Sequence, residues 1–215
     1  MWLSPCIPPI ALIFKGTGKR IPKKETSQYP SCVKVFWSKS ASWNRGVAIG
    51  FGNLLNKGPF KNDRVKFLWF DGLGMRDGIK HDNGHFYKEF QTSLDSGNWK
   101  QVVHKPRESK WAQGVDLNVG ATIKSKMYKR IRAANEVYYQ KKKANPDLPK
   151  MTTSELRLLT IKALKEAWVE TVEERRVMIR AFEKTGIRLK VDGSDDAEKM
   201  KFQGRRYLKG NSVHA

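Results

Sequence analysis

Two short apolar runs, each closed by a turn, place the strongest limit on how this chain can fold. Residues 10–14 read IALIF and end at a KGTG sequence, and residues 65–70 read VKFLWF and end at Asp71 and a glycine. Runs of this length between turn residues are typical of buried strands. Shorter apolar segments at residues 33–37 and 102–103 predict two more strands. The fold is therefore expected to contain a sheet.

Longer segments with helical periodicity lie between and after these runs. Helices are predicted near residues 43–55 and 85–94 and over residues 115–143. Apolar residues recur at intervals of four along the last of these, which marks one buried helical face: Val119, Ile123, Met127 and Ile131. A further helix, capped by Thr153 or Ser154, is expected to pass Trp168, and helical structure should continue to residue 184.

Strands that alternate with helices predict an α/β fold. We expect the α/β domain to occupy residues 1–144 and a helical extension to occupy residues 145–190. Residues 191–215 are polar, charged and rich in glycine, so they are predicted to form a disordered tail. Residues 16–31 combine Gly, Lys, Pro and Ser and are predicted to form a loop.

The charge balance indicates the class of partner. The chain carries 42 Lys and Arg against 21 Asp and Glu, a formal net charge of +21. Such an excess attracts polyanions, so DNA is the expected partner, RNA is an alternative, and an anionic membrane surface ranks behind both. No membrane span and no signal peptide are predicted, because the apolar start of the chain is short, lacks a basic segment and is broken by prolines. The two cysteines, Cys6 and Cys32, form no zinc-binding pattern.

The predicted helix over residues 115–143 is the main candidate for contact with nucleic acid. Cations crowd the part of its surface that lies outside the apolar stripe, and we expect them to meet phosphates: Lys124, Lys126, Lys129, Arg130 and Arg132. Trp37 and Trp43 stand among lysines and could stack on bases, but aromatic residues of this kind more often belong to the core.

Other side chains raise the question of a metal site. Asp71 follows an apolar strand and precedes a glycine, which suits either a divalent-metal ligand or a simple β-turn. His81 and His85 are four positions apart and could share a helical face, although the DNG sequence between them favours a turn.

The order of the segments resembles the DDE-type transposase domain of the pogo/Tigger group. PPIALIFKG at residues 8–16 is similar to that family's PPL-V-IFKG strand, and LWFDG at residues 68–72 is similar to its strand that ends in a catalytic Asp. QGVD at residues 113–116 resembles the family's QPLD, and AFEKTGI at residues 181–187 resembles its AF-KTGI ending. The resemblance covers roughly residues 7–190.

The resemblance implies an RNase H-like mixed sheet, here incomplete, with a helical C-terminal extension. It also implies that Asp71 and Asp116 correspond to the second and third catalytic carboxylates and to ligands of Mg²⁺ or Mn²⁺. Their carboxylates would then lie within about 4–8 Å, the reach of shared divalent ions. DNA as the partner and the nucleus as the location follow from the same resemblance.

The sequence also departs from the family pattern. The family's first catalytic Asp lies before the PP-containing strand, and no acid precedes Ile10 in this chain. Two-metal phosphoryl transfer needs several carboxylates to hold two divalent ions. We therefore expect a transposase-derived protein that binds DNA without cutting or joining it. Two alternatives remain open: a basic structural protein of a ribonucleoprotein, and an Mg²⁺ nuclease completed by a carboxylate from outside this chain. Oligomeric state is not predicted.

Overall fold

The computed structural model describes residues 9–57, 66–70, 75–76, 79–103, 118–184, 201–202 and 205–206. Within these ranges the protein mixes helices with short strands, which confirms the predicted α/β class. Among the described residues the strands pair as four two-stranded sheets, two of them parallel and two antiparallel.

The first sheet joins β1 (Ile10–Lys15) and β2 (Val33–Ser38) in parallel, with Ile10 opposite Val33. Both strands were predicted. The connection between them was predicted to be a loop, but it contains a one-turn helix, α1 (Lys23–Thr26), that follows extended Pro22. Proline is favoured at a helix start because its missing N–H needs no partner there.

The second parallel sheet joins β3 (Lys66–Phe70) and β6 (Trp99–Val103). Helix α2 (Arg45–Leu55) precedes β3, and the Asn44 side chain caps it by accepting a hydrogen bond from the Val47 N–H at 3.0 Å. Helix α3 (Lys88–Ser96) precedes β6 and packs on α2.

Two short strands and a 3₁₀ turn lie between β3 and α3. Strands β4 (Met75–Arg76) and β5 (Ile79–Lys80) pair antiparallel, and Gly84–Phe86 forms a 3₁₀ turn. The predicted helix from residue 85 therefore begins three residues later, because the extended backbone of Tyr87 separates the turn from α3.

Three helices follow in the described part of the chain: α4 (Gly120–Ala144), α5 (Thr153–Glu173) and α6 (Arg175–Lys184). The predicted apolar face of α4 is confirmed for three of its four residues, since Val119 and Ile123 are buried and Met127 packs beside them, whereas Ile131 is half-buried. The N-cap of α5 is Thr152 rather than Thr153 or Ser154. Thr152 and Glu155 form a reciprocal capping box, which satisfies two backbone N–H groups of the first turn.

Two apolar clusters form the core. The larger one lies where α4, α5 and α6 pack on β1 and β2, around Ile161, Leu164 and Trp168. The smaller one joins α2 and α3 to β3 and β6, around Phe90 and Leu94. On the β1–β2 sheet, Val35 faces the larger cluster, whereas Phe36 lies against Gly50 of α2.

The C-terminal prediction concerned residues 191–215, most of which lie outside the described residues. Within that stretch β7 (Lys201–Phe202) and β8 (Arg205–Arg206) pair antiparallel. The prediction of a disordered tail for the rest of this segment stays a prediction.

Candidate nucleic-acid interface

The two predicted metal ligands, Asp71 and Asp116, lie outside the described residues. Strand β3 ends at Phe70, directly before Asp71, as the sequence predicted. The separation of the two carboxylates stays a prediction. Within the described ranges, no group of three or more His, Cys, Asp or Glu side chains is placed to hold a metal ion.

The histidine pair does not share a helical face, and the turn that the DNG sequence between the two residues favoured is confirmed. Residues 82–83 bend, and His85 lies in the 3₁₀ turn with its ring 5.2 Å from the Trp43 ring. Trp43 itself packs against Phe51 and Phe90 and donates a hydrogen bond from Nε1 to the Gly84 carbonyl at 2.7 Å. Trp43 is therefore a core residue, as the alternative interpretation held.

Two of the five cations predicted to bind nucleic acid face α5 instead of solvent. Lys126 Nζ lies 3.0 Å from Glu170 Oε1 and 2.7 Å from Glu174 Oε1. Arg130 Nη2 lies 2.5 Å from Glu170 Oε2, and Arg130 Nε lies 3.2 Å from Glu166 Oε2. We call these five residues the α4–α5 seam.

The charged groups of the seam stabilise one another. The hydrogen bond from Arg130, followed by that from Lys126, lowers the pKa of Glu170, and Glu170 in turn raises the pKa of Arg130. Burial alone would lower the pKa of Lys126, but Glu174 and Glu170 outweigh it, so the pKa is raised. Lys126, Arg130 and Glu170 therefore stay ionised at neutral pH, and Lys126 and Arg130 are already matched by carboxylates.

The other three predicted cations, Lys124, Lys129 and Arg132, are exposed on α4. None of them has an ion pair with a described carboxylate. Two tyrosines that were not predicted to belong to the interface are exposed on the same helix: Tyr128 retains 55% of its accessible surface and Tyr139 retains 64%. The sequence feature that could have identified them is their spacing of eleven residues, or about three helical turns, at positions outside the apolar stripe.

A second set of exposed cations extends from the last residue of β1 to the first two residues of α1. We call residues 15–24 the basic loop, whose five cations are all exposed and have no ion pair with any carboxylate in the described ranges: Lys15, Lys19, Arg20, Lys23 and Lys24. Gly18 sits here with φ +71°, and its backbone lies against the Trp37 ring. Trp37 also contacts Phe14 and the Arg157 guanidinium, 5.4 and 5.9 Å from its ring centroid, so it supports the loop from beneath.

The only acid among residues 1–57 is Glu25, and it is 2% exposed. Arg157 donates two hydrogen bonds to its carboxylate, at 2.7 and 2.6 Å, and Ser154 and Tyr29 each donate one at 2.7 Å. We call these four residues the Glu25 cluster. No role was predicted for Glu25, because its partners Ser154 and Arg157 lie far along the chain.

The Glu25 cluster both buries this carboxylate and pairs its negative charge. The bonds from Arg157 hold the pKa of Glu25 at about 2 in spite of its burial, and those from Ser154 and Tyr29 add to the effect. Burial and the adjacent Glu25 raise the pKa of Tyr29 to about 12. The negative charge of Glu25 is matched by Arg157, and in the described part of the chain no carboxylate forms an ion pair with a cation of the basic loop.

None of the described helices is both long and apolar enough to cross a membrane. No protein-family model matches the chain, and no curated protein or solved structure is significantly similar to it.

Proposed function

We propose that this protein binds nucleic acid through the cations that its fold leaves exposed, and that it is a transposase-derived DNA-binding protein that does not cut DNA. The observation that carries the proposal is the basic loop. Five exposed cations within ten residues face solvent, and the one acid of the surrounding sequence is buried and paired. A site with this balance attracts phosphates and releases their counterions.

The origin of the protein in a pogo/Tigger-type transposase domain, with its RNase H-like fold and nuclear location, is part of this proposal. Its support is the collinear order of the sequence motifs. The absence of cleavage has separate support within this chain: Glu25 is the one acid before Asp63, and four hydrogen bonds hold it in a protein interior. A carboxylate held in this way cannot join Asp71 and Asp116 as a metal ligand. Bound Mg²⁺ or Mn²⁺ would require those two aspartates.

The test is a salt titration of duplex DNA binding with a matched pair of variants. One variant replaces four cations of the basic loop, K19Q/R20Q/K23Q/K24Q. The control removes the same charge from exposed positions elsewhere, K57Q/K88Q/K162Q/K165Q. Each phosphate contact contributes about −0.9 to the slope of log K against log salt.

The wild type should bind with a steep slope, and the loop variant should flatten that slope by about 3. The control should change it by less than about 1. A wild-type protein that does not bind, or whose affinity ignores salt, would contradict the proposed function. If the loop variant and the control flatten the slope equally, the basic loop is not the contact surface.

Two further arms test the alternatives. A duplex RNA that binds at least about tenfold more tightly than DNA of the same length would favour a structural protein of a ribonucleoprotein. Specific nicking with Mg²⁺ or Mn²⁺ that disappears in D71N would favour a nuclease.

A further inference from the structure

The side of α4 that points away from α5 alternates cations with aromatic rings. At 100° per residue, nine residues of α4 fall within an arc of about 100°, and five of them are exposed cations or tyrosines: Lys124, Tyr128, Arg132, Tyr139 and Lys143. We call these five residues the α4 outer face. It lies opposite buried Ile123 and the paired Lys126 and Arg130, so the helix divides its residues between a core side and a solvent side.

Every residue of the α4 outer face is exposed, and its three cations have no ion pair with a described carboxylate. Both tyrosine residues are more than half exposed. The nearest acid along the helix is Glu136, whose carboxylate accepts a hydrogen bond from Gln140 at 2.6 Å. The Tyr139 ring meets the neighbouring Tyr138 ring edge-on, with 5.8 Å between the ring centroids, and this contact leaves most of Tyr139 exposed. Within the described chain, exposed tyrosines and cations without ion pairs thus alternate along one helix.

We propose that the α4 outer face binds single-stranded DNA, with Tyr128 and Tyr139 stacking on bases and Lys124, Arg132 and Lys143 contacting phosphates. The inference rests on the proposed function and deepens it, because it names the form of nucleic acid and the residues that distinguish it. Positively charged surfaces that carry aromatic stacking platforms are the common solution for binding single strands without sequence preference.

The tyrosines are the reason for assigning a single strand. In a duplex the faces of the bases are covered by their neighbours, so an exposed ring on a helix surface finds no base to stack on. The two rings are eleven residues apart, a rise of about 16 Å. That distance spans roughly five nucleotides at the 3.4 Å spacing of a stacked strand, and fewer in an extended strand. Arg132 lies between the rings, where the backbone joining two stacked bases would pass.

Charge complementarity argues against a second copy of this chain as the occupant. Two outer faces brought together would oppose cations to cations, and like charges in contact cost binding energy. A phosphate backbone supplies the opposite charge along the whole length of the face.

The experiment measures binding of the full chain to a fluorescently labelled oligothymidine of about fifteen nucleotides, within the site sizes typical of such surfaces, and to a duplex of equal length. The test variant is Y128A/Y139A. Y128F/Y139F keeps both rings and removes only the hydroxyl groups. V137A is the matched control, because Val137 is 55% exposed on the same helix but on another face. Circular dichroism and thermal unfolding confirm that each variant is folded.

Stacking of one base typically changes affinity by at least about fivefold, so Y128A/Y139A should bind oligothymidine about thirtyfold or more weakly than the wild type. Duplex binding by that variant should change by less than about threefold. Y128F/Y139F and V137A should bind both ligands like the wild type.

The outcomes separate this inference from the proposed function. Wild-type affinity of Y128A/Y139A for oligothymidine, alongside salt-dependent binding of DNA, would overturn the inference and leave the function standing. If the wild-type protein binds neither the oligothymidine nor the duplex, the proposed function itself is wrong. Oligouridine binding more than about tenfold tighter than oligothymidine would reject DNA as the occupant. Self-association that the alanine variant abolishes would assign the face to a second copy instead.

Discussion

The α4–α5 seam and the basic loop both concentrate Lys and Arg, but they use these residues in opposite ways. In the seam, Lys126 and Arg130 lie within ion-pairing distance of three glutamates that recur every fourth residue along α5 and at its C-cap. In the basic loop, five cations face solvent, and the one acid among residues 1–57, Glu25, is buried and paired with Arg157. The number of cations in a segment therefore says less about binding than the position of the carboxylates.

The comparison predicts that a paired cation supports the fold and an unpaired one does not. The sharpest case is Arg157, whose replacement by methionine would leave Glu25 buried without its partner. We expect R157M to lower the free energy of unfolding by about 4 kcal/mol, since removing one member of a buried pair leaves an uncompensated charge. Urea unfolding measures the change. K162M, an exposed site on the same helix, should change stability by less than about 0.5 kcal/mol. Equal effects of R157M and K162M would contradict the comparison.

The same cluster should give the protein a distinctive response to acid. The folded pKa of Glu25 is about 2, below its ordinary value of 4.5, so its ionised form stabilises the fold above pH 4.5. That contribution is lost as the pH falls from 4.5 towards 2, and by linkage it amounts to about 3 kcal/mol. The stability difference between the wild type and E25Q should shrink over this window in chemical unfolding experiments. Parallel pH profiles for the two proteins would show that Glu25 is not held as described.

A smaller effect is expected where the basic loop rests on Trp37. Gly18 has φ +71°, and a Cβ at this position would lie 2.5 Å from the Trp37 ring. G18A should therefore lower the free energy of unfolding by roughly 1–2 kcal/mol, through backbone strain and displacement of the ring. Gly46 lies in α2, where an added methyl group would meet no atom closer than 3.5 Å, so G46A serves as the control and should be neutral or slightly stabilising. If thermal unfolding shows that G18A is as stable as G46A or more stable, the loop is not fixed on Trp37.

Much of the fold could be predicted because its signals are local. Strands β1, β2 and β3 are continuous apolar runs, and α4 carries a regular apolar stripe. The misses involve short-range geometry that composition does not reveal. Helix α1 occupies only four residues in a stretch with the composition of a loop, and α3 begins late because a 3₁₀ turn comes first.

The candidate interface was harder to predict because it depends on which helices meet. The five cations of α4 look equivalent along the sequence, and only the packing of α5 separates Lys126 and Arg130 from the others. The complementary spacing of four in both helices was the available signal. The Glu25 cluster joins residues 129 and 132 positions apart, a relation that no local pattern carries.

The central claim is that unpaired cations bind nucleic acid and paired cations do not, and α4 allows both to be tested on one helix. The measurement is the salt dependence of single-stranded DNA binding by K124Q/R132Q and by K126Q/R130Q, at a temperature where both are folded. Each phosphate contact with a single strand contributes about −0.7 to the slope of log K against log salt, so the loss of two contacts in K124Q/R132Q should flatten the slope by about 1.4. The second should leave the slope within about 0.5 of the wild type while lowering the melting temperature. Equal flattening by both variants, or flattening by K126Q/R130Q alone, would contradict the claim.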